Sequence, residues 1–402
     1  MKIYIVGVGV KSHTTNRAIE IINSSDVLIG AKRVLSVFEN NNAKRIESYK
    51  VCDINKAIEE NHLADVISIL VSGDSGFFSA AESIVQGINR SVEIIPGISS
   101  LSYFAARLSI PFDDINVLSL HGRHGGLVGS VMENHRTFIL TDGTNSPRSI
   151  CRSLYKKGFR NLKVYIGENL SYPNERITVD DISVVMNMDF DPLNVLIIEN
   201  PRPVNINISL SGIADEEFIR GDVPMTKCEV RRISISKLKI NRDDVIYDIG
   251  AGTGSVAIEA ALSATYGRVY AIEKEEKAIN IIESNRIKFK AYNMKVIHGF
   301  APSAMEDLPA ADKVFVGGSC GQLESIIENA FYKNPYARIV VNAISLETIS
   351  EALSCFKKFP FKDVEITQAS IAKARSIGEF NMMMGQNPVY IFSGEGDGTW
   401  QE

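Results

Sequence analysis

The stretch Val245-Ile-Tyr-Asp-Ile-Gly-Ala-Gly-Thr-Gly-Ser-Val-Ala-Ile-Glu259 decides the fold class. An apolar, β-branched run ends at about Asp248. Glycines follow at 250, 252 and 254, and a helical pattern starts at about Ser255. Glycine lets the backbone take left-handed angles and come close to a ligand. The next strand-like run, Val269-Tyr-Ala-Ile-Glu273, ends in a carboxylate. An acid about 20 residues past such a turn can accept hydrogen bonds from both hydroxyls of a ribose. Taken alone, Glu273 also reads as a solvated strand end, but its position favours the ribose role.

Working outward, the same alternation of strand and helix fills the second half. Strand-like runs lie at 295–298, 313–316, 338–342, 364–367 and 389–392, and helical patterns at 255–262, 277–289 and 345–356. Seven strands fit one doubly wound domain. In the first half, β-branched runs recur at 3–6, 66–71, 92–95, 137–141, 163–166 and 194–198. The alternation predicts an α/β fold with mainly parallel strands. Between the halves, Asn200-Pro-Arg-Pro-Val-Asn-Ile-Asn-Ile-Ser209 interrupts any regular pattern. The expected domains are 1–205 and 206–402.

Composition narrows the function. The chain has 402 residues, 45% hydrophobic and 23% charged, which excludes disorder and small disulfide scaffolds. No stretch approaches the roughly 20 apolar residues of a membrane helix. The N-terminus opens into a strand-like run rather than a signal peptide, so a cytoplasmic location is expected. The five cysteines (52, 151, 228, 320 and 355) are scattered and lack paired spacing, which predicts free thiols and no zinc site. A net charge of −5 argues against a nucleic-acid partner held by bulk charge.

Other strand ends of the second half point at the same site, because open α/β sheets bind ligands beyond their carboxyl ends. Gly299-Phe-Ala-Pro302 places Ala301 near a base. Gly317-Gly-Ser-Cys-Gly321 lets a substrate approach at Gly318. Asn342-Ala-Ile-Ser345 lacks the N-P-P-Y pattern of amino-methylating nucleic-acid enzymes. Upstream, Arg220, Lys227, Arg231 and Arg232 concentrate positive charge in an acidic half. They read either as a solvated helix face or as a clamp for a ligand with several carboxylates, which arginine binds through paired hydrogen bonds.

The first half carries a different pattern. Ile3-Tyr-Ile-Val-Gly-Val-Gly-Val10 runs into Gly7 and Gly9. Later strands end in Val71-Ser-Gly-Asp-Ser-Gly-Phe-Phe-Ser79, Ile95-Pro-Gly-Ile-Ser-Ser-Leu101, Ser119-Leu-His-Gly-Arg123 and Leu140-Thr-Asp-Gly143. Singly these are turns. Together they can converge on one cleft. Asp74 reads as a cap or a cleft residue, and His121 as a packed side chain or a catalyst. His124 and His135 have no partner at metal-ligand spacing, so no protein-bound metal is expected.

The G-x-G-x-G spacing, with an aspartate two residues ahead, resembles the class I S-adenosylmethionine (SAM) methyltransferase turn. An NAD site or a structural turn stays open on spacing alone. The series of loops in the first half resembles the tetrapyrrole (corrin/porphyrin) methylase family. The second half, through D-E-E-F-I-R-G, V-P-M-T-K, D-I-G-A-G-T-G-S and V-G-G-S-x-G, resembles the decarboxylating C15-methyltransferases of cobalamin biosynthesis. In this order the halves resemble the fused C5,15-methyltransferase family.

That resemblance implies a tetrapyrrole methylase fold of two α/β lobes around a cleft, then a class I Rossmann-like domain with a seven-stranded sheet. It implies one SAM site per domain. The first would use Gly7, Gly9, Gly73, Asp74, Ser99, Ser100 and Thr141. The second would use Thr226, Gly250, Ala251, Gly252, Thr253, Gly254, Glu273 and Ala301. The implied substrate is a polycarboxylated tetrapyrrole methylated at C5 and C15, with loss of CO2 from the ring C acetate. His121 and Arg123 would orient it or assist proton removal at C5. A homo-oligomer without membrane or nucleic-acid partners is expected. Three positions depart from the family pattern: Val10 and Ser75 stand where proline is usual, and Phe300 where aspartate is frequent. Two other readings remain: a SAM methyltransferase acting on another small molecule or RNA, and a tetrapyrrole carrier without activity.

Overall fold

The computed structural model describes residues 1–10, 13–38, 42–120, 126–204 and 212–400. The chain divides into two units. One comprises Met1–Arg123, His135–Arg152 and Asn161–Glu199, the other His124–Asn134, Ser153–Arg160 and Asn200–Glu402.

The first unit holds two sheets. In the first, β1 (Lys2–Gly7), β2 (Val27–Gly30), β3 (Lys44–Glu47), β4 (Val66–Val71) and β5 (Glu93–Ile95) pair in the order β3-β2-β4-β1-β5. All four pairings are parallel. Ile3 to Val6 are buried throughout, as expected for a strand covered on both faces. Since β1 lies between β4 and β5, the turns after these three strands leave from one edge.

The second sheet departs from the parallel expectation. It contains β6 (Ile115–Ser119), β7 (Arg136–Leu140), β8 (Lys163–Glu168), β9 (Arg176–Asp181) and β10 (Asn194–Glu199) in the order β6-β7-β10-β8-β9. Only β6 and β7 pair in parallel; the other three pairings are antiparallel. The connection from β8 to β9 is too short for the dozen or more residues that a parallel crossover requires.

The second unit forms a seven-stranded sheet from β11 (Val245–Ile249), β12 (Arg268–Glu273), β13 (Met294–His298), β14 (Lys313–Val316), β15 (Arg338–Ala343), β16 (Phe361–Ala369) and β19 (Val389–Gly396). Between the last two, β17 (Ala372–Ile377) and β18 (Phe380–Gly385) make a separate exposed hairpin. The order β13-β12-β11-β14-β15-β19-β16 is parallel as far as β15, and β19 and β16 then add antiparallel.

Side chains of β11 alternate between two cores. Tyr247 and Ile249 pack with Ile326, Phe331 and Phe356 on one face, and Ile246 packs with Ala257, Ala271 and Ile282 on the other. Helices therefore cover both faces, and the carboxyl ends of the parallel strands are left for a ligand. No helix among the described residues is long and apolar enough to cross a membrane.

Candidate functional site

The glycine turn after β11 has left-handed angles at Gly250 (φ +73°) and Gly252 (φ +56°). A Cβ on Gly250 would lie 2.9 Å from the backbone of Gly318, and one on Gly252 would lie 2.5 Å from the carbonyl of Pro224. Both positions therefore exclude side chains for two reasons, angle and space. The turn is fastened to β12: the N–H groups of Gly250 and Ala251 donate to the Ile272 carbonyl at 3.0 and 3.2 Å.

Glu273 is buried at the end of β12. One carboxylate oxygen accepts the Gly252 N–H at 2.8 Å, and the other accepts those of Lys274 and Glu275 at 2.8 and 3.0 Å. Three backbone donors fix its orientation, and its remaining lone pairs are available to hydroxyl donors.

Asp248 sits beneath the turn. The helix Ser255–Ser263 starts at Gly254, which has no side chain to cap it. Asp248 takes that role across the turn, accepting the Ala257 N–H at 2.8 Å. Its other oxygen is buried with no partner among the described residues. Burial, and secondly the charge of Glu273, push its acid dissociation up to about 7, against the opposing Ala257 hydrogen bond.

These groups border a cavity of about 1020 Å³. Of the expected residues, Thr226, Lys227, Gly250, Ala251, Gly252 and Glu273 line it, as do Ala301 and Gly318. Thr253 is buried behind the turn, and Gly254 starts the helix. Neither lines the cavity, and nor do the exposed Arg220 and Arg232.

Arg231 corrects the clamp expectation. Its side chain is fully buried. It donates to Glu259 at 2.6 Å, Asp215 at 3.1 Å, the Thr226 carbonyl at 2.7 Å and the Ile213 carbonyl, and it lies 4.8 Å from the Phe218 ring centroid. Its donors are spent on the protein. It holds the segment carrying Thr226 against the helix Ser255–Ser263 instead of reaching a ligand.

Other cavity residues escaped the sequence reading. Gln386 and Asn387 line it from the segment before β19. The unrecognised hairpin β17–β18 hid that segment, although Pro388 next to an apolar run marked a loop. Among the described residues, no group of three or more His, Cys, Asp and Glu side chains is arranged to hold a metal.

In the first unit the loops after β1, β4 and β5 meet. Gly9 and Gly73 exchange backbone hydrogen bonds at 2.9 and 3.1 Å. A Cβ on Gly7 would lie 2.8 Å from the Gly97 nitrogen and 2.9 Å from the Gly73 oxygen. Asp74 bridges two loops, accepting the N–H of Gly76 at 2.8 Å and that of Gly97 at 2.9 Å. Its cap reading is thus realised within a cluster of the expected glycines. Ser99 caps the helix Ser100–Leu108 by accepting from Ser102. Thr141 follows β7 in the second sheet, and its hydroxyl meets Asn194. His121 and Arg123 lie outside the described residues.

Both halves of the chain match known families. Residues 2–185 match the family described as Tetrapyrrole (Corrin/Porphyrin) Methylases, and residues 217–395 match the Precorrin methyltransferase domain. The chain is 42% identical over 194 residues to a probable cobalt-precorrin-6B C(15)-methyltransferase (decarboxylating) of Saccharolobus solfataricus, covering 47% of this chain and 98% of that protein. It is 30% identical over 285 residues to a precorrin-6Y C(5,15)-methyltransferase [decarboxylating] of Sinorhizobium sp, covering 70% of this chain and 69% of that protein. A crystal structure of precorrin-6y C5,15-methyltransferase from Geobacter metallireducens GS-15 is 37% identical, with a TM-score of 0.44, over 46% of this chain and 97% of that one. On the sequence identities and the lengths they span, the chain belongs to the decarboxylating precorrin-6Y C5,15-methyltransferase family.

Proposed function

We propose that this chain methylates a precorrin or cobalt-precorrin at C5 and C15 and removes the ring C acetate carboxyl as CO2, in cobalamin biosynthesis. The observation that carries this reading is the 1020 Å³ cavity at the carboxyl ends of β11, β12, β14 and β15, bordered by the glycine turn and Glu273 in a chain of this family. The domains are 1–205, with a tetrapyrrole methylase fold of two lobes around a cleft, and 206–402, with a class I Rossmann-like fold.

Each domain has its own SAM site in this proposal. In the second, Gly250 to Gly254 receive the cofactor, Glu273 accepts the ribose hydroxyls, and Thr226 and Ala301 border it. The cradle fits, because the turn residues Gly250 to Gly252, the Glu273 carboxylate, Thr226 and Ala301 border one cavity. In the first, Gly7, Gly9, Gly73, Asp74, Ser99, Ser100 and Thr141 form the cofactor loops. SAM, when bound, supplies an electrophilic methyl on a sulfonium. The macrocycle's electron-rich meso carbon is the nucleophile, so the protein's task is orientation and exclusion of water. Alignment at near-attack distance contributes up to roughly 7–11 kcal/mol.

Lys227, with Arg220 and Arg232 beyond the cavity, meets carboxylates of the substrate rim, and Gly318 lets the ring approach. His121 and Arg123 are proposed to serve the C5 reaction. We place the enzyme in the cytoplasm, without nucleic-acid partners, as a homo-oligomer. The exposed Phe380, Met382, Met383 and Met384 of the β17–β18 hairpin favour self-association, which light scattering tests.

The decisive experiment is mass spectrometry of products from purified protein, SAM and either metal-free or cobalt-loaded substrate. Two methyls gained and one CO2 lost are expected. A product with neither change overturns the reading.

A further inference from the structure

The cavity of the second unit divides by charge. Its charged lining residues are Asp222, Lys227, Glu273, Lys274, Glu275 and Lys277. All belong to two segments, one ahead of the helix Cys228–Leu238 and one that begins at Glu273, the last residue of β12. The segments after β13, β14 and β15, and the one before β19, contribute no charged side chain to the lining among the described residues. There the polar groups are hydroxyls, a thiol and amides.

Three amides stand out on the neutral wall: Asn342, Gln386 and Asn387. All three face the cavity from the antiparallel pair β15 and β19, in which Asn342 stands opposite Ile391 and Gln386 and Asn387 precede the paired stretch of β19. Asn342 is anchored from behind, its side-chain oxygen 3.0 Å from the hydroxyl of the buried Ser234. The Gln386 backbone is pinned by a 2.8 Å hydrogen bond from its N–H to the Ile371 carbonyl. The side-chain amides of Gln386 and Asn387 have no protein hydrogen-bond partner among the described residues. Such a wall has donors to offer and no formal charge.

Building on the function proposed above, we infer that the acetate carboxylate lost as CO2 is seated against this neutral wall, which offers it the side-chain amides of Gln386 and Asn387 at one end and that of Asn342 at the other, while the lysines occupy the glycine-turn side.

The chemistry of the step favours such a seat. The bond between the acetate methylene and its carboxyl carbon breaks. Its electron pair enters the conjugated macrocycle, CO2 leaves neutral, and the methylene takes a proton from water to become a methyl. The carboxylate's charge therefore vanishes as the reaction proceeds. A cation on that carboxylate binds the ground state more tightly than the transition state, which raises the barrier. Charge-assisted hydrogen bonds are about twice as strong as neutral ones, so ammonium donors would hold the group back more than amides do. Neutral amides orient the carboxylate without fixing its charge. The other carboxylates of the ring, which are retained, are served by the lysine side.

The test supplies the missing cation. Gln386→Lys and Asn387→Lys are compared with native protein for methyl and CO2 released per turnover, using SAM and a cobalt-loaded or metal-free precorrin. Calorimetry with S-adenosylhomocysteine monitors the cofactor pocket. The ratio of CO2 to methyl released is expected to fall by about tenfold, whatever the change in overall rate, so that methylated product retaining its carboxyl accumulates. The triple variant Asn342→Ala, Gln386→Ala, Asn387→Ala is expected to raise KM and to lower the ratio of CO2 to methyl. Native ratios in both lysine variants and in the triple variant overturn the seat while leaving the methyltransferase reading intact. Native protein that produces neither change overturns both.

Discussion

The Nε of Arg231 donates to Glu259 at 2.6 Å, and both side chains are sealed from solvent. The same guanidinium reaches Asp215, Thr226 and Ile213, so four protein groups converge on one cation. Removing one member of a buried pair leaves the other charge uncompensated, at a cost of about 3–5 kcal/mol. Arg231→Ala should lower the unfolding free energy by that amount in urea titrations. Arg231→Lys should recover little of it, because an ammonium cannot reproduce the planar fork. The paired change Arg231→Met, Glu259→Leu should cost less than either single removal. A fully stable Arg231→Ala protein would mean that Arg231 does not hold this segment together.

Glu273 and Gly252 make a second testable pair. The Gly252 N–H donates to the Glu273 carboxylate at 2.8 Å, so the acid shapes the turn as well as facing the cavity. Glu273→Gln keeps an acceptor for Gly252 but loses the charge that strengthens bonds to ribose hydroxyls. It should weaken S-adenosylhomocysteine at the second domain's site by about tenfold in calorimetry, with the first site unchanged. Gly252→Ala places a methyl 2.5 Å from the Pro224 carbonyl at a left-handed angle, and it should abolish binding at this site, leaving one S-adenosylhomocysteine per chain instead of two. Native affinity in either variant removes the turn from the cofactor site.

The difference between what the sequence conveyed and what it hid has a physical basis. Buried parallel strands such as β11 and β12 are continuous apolar runs ending in glycines or an acid, so strand, turn and Glu273 are legible together. Short strands, such as the four-residue β2 and β3, and exposed ones carry a weaker signature, and β2, β3 and β6 are not among the strand-like runs. β9, with its partly exposed Arg176-Ile-Thr-Val-Asp-Asp181, and β17–β18, exposed throughout, went unrecognised, and Gln386 and Asn387 with them. The positive cluster around residue 231 was visible as charge, but burial decides its role. Arg231 turned inward while Arg232, its neighbour on the same helix, remained exposed. A sequence gives the spacing of cations along a helix. Which of them meets Glu259 depends on a contact 28 residues away.

In the first unit, Asp74 ties the loop after β4 to the loop after β5 through Gly76 and Gly97. Asp74→Ala leaves both N–H groups without that acceptor and should destabilise the protein by about 1–3 kcal/mol. If the first unit carries the C5 reaction, product analysis should show C5 methylation lost while C15 methylation and CO2 release continue. Loss of all three together would instead tie Asp74 to the stability of the whole chain, and retention of C5 methylation would remove it from the cofactor loops.

Asp248 makes stability depend on pH in a direction opposite to that of most carboxylates. In the unfolded chain it ionises near its ordinary value of 3.8, whereas in the folded protein burial holds the proton until about pH 7. Between those values the folded state binds more protons than the unfolded one. This group's contribution therefore falls as pH rises through that window, is absent as a penalty below it, and is constant above it. Asp248→Asn keeps an oxygen for the Ala257 N–H and removes the titration. Relative to native protein, the variant should gain about 1–3 kcal/mol between pH 5 and pH 8 in ligand-free urea denaturation. A stability difference that does not change with pH would show that Asp248 ionises normally beneath the turn. In that case its unpartnered oxygen would need a donor other than its own proton.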